Sequence, residues 1–144
     1  MGLSAQTIEL VEVSYARIEP RARAMALEFY DDLFETMPTL RAVFPRDDAE
    51  QRRLAVSFVG FVIANLRSPH RLVPLLERMG ERGLLRDLTH EELASIGRIF
   101  LSLLRKFEGV YWSLETSHAW ALCITWTITA LHHGAEHAHF ARAG

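Results

Sequence analysis

Histidine, cysteine and methionine are the side chains of this 144-residue chain best able to hold a metal or a reactive group, and their spacing narrows what they can do. The run "LHHGAEHAHF" puts His133 and His137 at i, i+4, which on a helix is a spacing that binds metal. Gly134 interrupts that pair, and a frayed or solvated tail from about residue 132 is the better reading. His90 follows Thr89, a good helix N-cap, and a lone histidine in a first turn ordinarily faces solvent. Met25, Met37 and Met79 fall at core-like positions, where filling gaps comes before sulfur ligation. Cys123 lies on an apolar stripe as a small buried hydrophobe. No Ser-His-Asp or paired-carboxylate arrangement stands out, so hydrolytic catalysis has no residues to carry it and an enzymatic role is not indicated.

The elements that position these residues are helical. Apolar side chains recur at helical spacing and no stretch alternates well enough to be a strand. Ser4 caps a first helix with the stripe Ile8, Val11, Tyr15 and Ile18, and Pro20 suits the first turn of a second. That second helix should bury Ala26, Phe29, Tyr30, Leu33, Phe34 and Met37, ahead of a turn between Pro38 and Pro45. Asp48 with Gln51 resembles a capping box for a long helix carrying Leu54, Phe58, Phe61, Val62 and Leu66. Ser68-Pro69 restarts the chain into "HRLVPLLERMG", a helix of poor quality because of Pro74 and its glycines. Thr89 with Glu92 opens a helix through Leu93, Ile96, Phe100, Leu103, Leu104 and Phe107, which Gly109 ends. Ser113 caps the last one, through Trp120, Cys123, Ile124, Thr127 and Leu131. The expectation is one all-α domain over residues 1–144 with six to eight helices.

Composition sets the outer limits. With 49% hydrophobic residues the chain can bury a substantial core. A formal charge of −2 and a pI near 6.4 give no electrostatic case for nucleic acid or anionic membrane. No run approaches the roughly 18 apolar residues of a membrane span, and "MGLSAQTIELVEV" lacks the basic start and apolar block of a signal peptide. A single cysteine cannot form an internal disulfide, and a cytoplasmic location is expected.

Three stretches in order, "EFYDDLFETMPTLRAVFP", "DAEQRRLAVSFVGFVIANLRSPHRLVPLLERMGERG" and "EELASIGRIFLSLLRKF" leading to "WSLETSHAWALC", resemble the single-domain bacterial globins and the globin domain of flavohaemoglobins. The first is the most specific, tying an aromatic pair, a proline turn and a corner phenylalanine at set distances. The resemblance covers about residues 25–124 and implies a globin fold with haem as cofactor. On it, Phe44 matches the corner phenylalanine that packs on haem, Tyr30 the distal tyrosine that bonds an iron-bound ligand, and Gln51 the distal glutamine. Ala55, Met79 and Ile96 complete the expected pocket.

The proximal side departs from that pattern. Gly83 stands where the resemblance puts the iron-binding histidine, and Leu93 where it puts a supporting tyrosine; Glu115 alone matches that supporting network. Three outcomes are open. His90, seven residues on, can swing in as the metal ligand; water or an exogenous ligand can enter the space at Gly83; or the pocket has collapsed around Leu72, Leu76 and Met79. The expected function is a haem-pocket protein binding or sensing a small gas such as oxygen, with non-standard proximal ligation. The alternative is a haem-free globin acting as a signalling or protein-interaction module, with a protein partner or a second copy as its target. No reductase-like stretch occurs in these residues, so redox turnover would need a separate electron donor.

Overall fold

Capping side chains start the helices where the sequence places them. In the computed structural model, which describes residues 2–42, 49–82 and 84–143, the Thr7 N–H donates to Ser4 Oγ at 3.1 Å and the Thr116 N–H to Ser113 Oγ at 3.1 Å. Thr89 and Glu92 form the reciprocal box, each side chain accepting the other's backbone N–H at 3.0 Å. Six α-helices result among the described residues: α1 (Ala5–Ile18), α2 (Ala22–Thr36), α3 (Ala49–Ala64), α4 (Pro69–Arg82), α5 (His90–Glu108) and α6 (Leu114–Ala143). Short 3-10 turns join several of them, at Glu19–Arg21, Pro38–Arg41, Leu84–Asp87 and Gly109–Tyr111. Pro20 falls in the first of these turns rather than in α2 itself. Gly109 ends α5 with φ +62°, a left-handed value that costs glycine nothing. No strand occurs among the described residues, and no described helix is long and apolar enough to cross a membrane.

The expected stripe of α1 is buried in full, and so are Leu93, Leu103, Leu104 and Phe107 of α5. Burying each such side chain contributes about 1.5–3 kcal/mol. On α3 the expected stripe is buried only in part, at Val62 and Leu66. Leu54 is 57% exposed and Phe61 39% exposed, while Val62, Ile63 and, just past the helix, Leu66 enter the core. The reason is tertiary: α3 rests chiefly on α2, so the half of its circumference that a fuller bundle would cover stays open. The expected capping box at Asp48 lies outside the described residues.

Helix α4 also corrects the sequence reading. It runs unbroken through Pro74 and Gly80, and Leu72, Leu76 and Gly80 form its buried face against α6. The contact is backbone to backbone. A Cβ on Gly80 would overlap the Leu131 carbonyl, and a Cβ on Gly134 would overlap the Glu77 carbonyl. Gly134 therefore does not interrupt the last helix, and α6 continues through it to Ala143. Gly134 and Ala135 are buried, against the expectation of a solvated tail from about 132, whereas His133 and His137 are exposed. Two helix-weakening residues, each costing about 1 kcal/mol relative to alanine, are retained where only a hydrogen atom fits.

A buried polar group that apolar periodicity does not signal ties α1 to α5 and α6. Trp120 Nε1 donates to Ser14 Oγ at 2.8 Å, Ser14 donates to Glu108, and Arg17 pairs with Glu108 at 3.0 Å. Ser14 and Glu108 are both buried, and every member has a partner, as burial of polar atoms requires.

Candidate functional site

The space that α3 leaves is a cleft of about 240 Å³ between α3, α2, α5 and α6, with Tyr15 of α1 reaching its edge. Its walls are apolar because each helix turns its inner stripe toward it. Met25, Ala26 and Phe29 come from α2, Ala55 and Val59 from α3, Ile96 and Phe100 from α5, and Trp120, Cys123 and Ile124 from α6. Three of the rings step edge-to-face across the interior: Phe29 to Phe100 at 6.3 Å and 85°, then Phe100 to Trp120 at 6.0 Å and 83°. Trp120 is held in place behind the cleft by its bond to Ser14. Gly97 lines α5 where a Cβ would press on Ile124 and Ile128, so the α5–α6 wall is already tight.

The few polar atoms on these walls are neutral or already engaged. The Thr127 hydroxyl donates to the Cys123 carbonyl at 2.8 Å. Burial pushes the Cys123 thiol up to about 12, against a small lowering from its contact with Thr127. The Tyr15 phenol is raised above its ordinary value, mainly by burial and then by the nearby Glu19 carboxylate. No charged side chain is among the described wall residues.

Of the residues singled out in the sequence, Ala55, Leu93 and Ile96 do line this cleft. Tyr30 is buried beside it, 3% exposed, in a second cluster with Leu33, Phe34, Leu40, Leu88 and Leu93; its ring meets Phe29 edge-on at 5.4 Å but is not part of the described wall. Gln51 is half-buried in the first turn of α3, away from the wall. Met79 is 42% exposed on the outer side of α4, because α4 turns Leu72, Leu76 and Gly80 toward α6 instead. His90 is exposed at the start of α5, its ring 5.1 Å from that of His132. Phe44 and Gly83 lie outside the described residues. His133 is paired with Glu77 at 2.7 Å, and no metal-binding cluster of three or more donors occurs among the described residues. The sequence reading missed Tyr15, Met25, Gly97 and Trp120 as wall residues; their apolar spacing marks a core without saying which core positions face a void.

These walls fit the apolar face of a haem but not its iron or its acid groups. No side chain of α4 is among the described wall residues, and none of those residues is a histidine. The Cys123 thiol is buried and protonated, so ligation there would have to expel its proton into an apolar wall. Met25 offers a thioether, which haem proteins pair with a histidine. No arginine or lysine is among the described wall residues to meet a propionate. Among the described wall residues, the donor set does not match the group.

No family model matches the chain. Among curated proteins it is similar to a flavohemoprotein of Chromobacterium violaceum, 25% identical over 123 residues, which is 83% of this chain and 30% of that protein. The chain thus spans about 30% of the length of this relative. Together with the all-helical fold, the likeness suggests a globin-like relationship.

Proposed function

We propose that the chain is a haem-free, globin-like module that serves in signalling or protein interaction rather than in iron-bound gas chemistry. The observation that carries this reading is the composition of the cleft: its described walls bring no imidazole and no cation. The packing of α4 supports it. That helix, which ends at Arg82 just before Gly83, spends its buried face on α6, with Gly80 against the Leu131 backbone. A second reading, a haem protein that binds a small gas through non-standard ligation, is favoured by the likeness to a flavohemoprotein.

Haemin titration separates the two. The haem-free reading expects neither wild type nor Gly83→His to develop the Soret band of a ligated haem, and neither melting temperature to rise with haemin concentration. Uptake by Gly83→His alone, with a histidine-ligated spectrum, would mean that only the ligand was lost. Uptake by wild type would establish the second reading.

A further inference from the structure

We propose that the cleft between α2, α3, α5 and α6 is a binding site for one uncharged, hydrocarbon-like small molecule, and that this occupant rather than haem joins α3 to the rest of the core. The inference rests on the haem-free reading above and names the ligand class of the same site.

Size sets the first limit. A dry cavity of about 150 Å³ lined by aliphatic and aromatic side chains takes a benzene molecule. The cleft here measures about 240 Å³, which suits roughly ten non-hydrogen atoms on the same scale. Polarity sets the second. A charged head would be buried without a partner, because the described walls hold no charged side chain. The hydroxyl of Thr127 and the indole N–H of Trp120 are already committed to Cys123 and Ser14, which leaves the neutral Tyr15 phenol as a single polar contact for an uncharged ligand. The Cys123 thiol is neutral at any ordinary pH. Water is poorly served by the same walls, since it needs two to four polar partners.

The occupant also has a mechanical consequence. The middle of α3 offers Ala55, Val56 and Val59 to the cleft, all half-buried, and the helix rests chiefly on α2. Opposite stand Phe100 and Trp120, tied through Ser14 and Glu108 to α1 and α5. A ligand between them touches both walls, so its binding favours the conformation with α3 drawn in. A fluctuation of α3 is then the signal that such a module can pass on.

The test uses two probes that share a ring system, neutral naphthalene and anionic naphthalene-1-sulfonate, on the full chain. The neutral probe should bind one-to-one with saturable fluorescence and raise the melting temperature, and should bind about tenfold or more tighter than the sulfonate. Ala55→Phe, which fills the cleft from α3, should lose that binding while keeping wild-type helicity by circular dichroism. Val59→Phe serves the same purpose if Ala55→Phe does not fold. No saturable binding of the neutral probe, or unchanged binding in a folded cleft-filling variant, would overturn the site. Equal affinity for the sulfonate would overturn the assignment of an uncharged ligand. Haemin displacing the neutral probe from wild type with a ligated Soret band would instead overturn the haem-free reading and leave the hydrophobic site standing. A chain that takes up neither haemin nor the neutral probe retains the haem-free reading and loses this inference.

Discussion

Helix α6 meets α4 and α3 in opposite ways. Toward α4 the two backbones touch, with Gly80 and Gly134 leaving no room for a methyl group. Toward α3 the same helix leaves a cleft of about 240 Å³ walled by Cys123, Ile124 and Trp120. The first contact spends helix propensity to gain close approach; the second leaves dispersion unused. At the ~24 cal/mol per Å³ found for cavities, an empty cleft costs at most about 6 kcal/mol, comparable to the whole stability of a small domain. Side-chain volume therefore has opposite value on the two sides of one helix. Added atoms harm one side and help the other.

The largest effect is expected at the tight side. Gly134→Ala and Gly80→Ala should each lower stability by about 3 kcal/mol in denaturant titrations, despite alanine's better helix propensity. The double variant should fall short of the sum, because the helices need to separate only once. A neutral or stabilising result at either position would remove the backbone contact from the comparison.

Next in size is the reactivity of Cys123, which reports whether the loose side is dry. A thiol near 12 carries very little thiolate at pH 8. Iodoacetamide should therefore label the native protein at least about a hundredfold more slowly than the urea-unfolded chain, whose thiol has its ordinary value. The sign with pH follows from the raised value. The favourable contribution is complete below the unfolded thiol's pKa and is lost as pH rises toward about 12. Rapid native labelling at pH 8 would mean that water reaches the α6 wall.

The smallest effect is the most direct mirror of the glycine variants. Ala55→Leu adds atoms to the cleft from α3, and it should raise stability by about 1 kcal/mol. A loss of stability would show that the cleft has no room to spare and that the two sides of α6 are alike.

How far the sequence could be read depended on which interactions are local. Ser4, Thr89 with Glu92, Ser113 and Gly109 mark helix ends, and the structure uses all of them there. Their signal is legible because a cap acts within about four residues of itself. Gly80 and Gly134 read as weakness for the same reason. Propensity counts the cost of a glycine within its own helix and has no term for the carbonyl of a helix some fifty residues away in sequence. Ser14 was hidden in an apolar stripe because its partners, Trp120 and Glu108, lie about a hundred positions on.

The candidate site divides along the same line. Leu93 and Ile96 are wall residues because the apolar stripe of α5 points inward, whereas Ala55 lies outside the stripe expected for α3 and was marked by the resemblance alone. Met79 shares the spacing of a buried residue and is nevertheless exposed, since the close approach of α4 to α6 turned a different face inward. By itself, the sequence determined the all-helical class, most helix ends and the apolar character of the interior, all of which follow from short-range capping and periodicity. Only the tertiary structure decided where the helices stand off from one another. That choice is made by backbone contacts such as Gly80 on Leu131 and Gly134 on Glu77, and it is what places a cleft without an iron ligand on its described walls on the other side of α6.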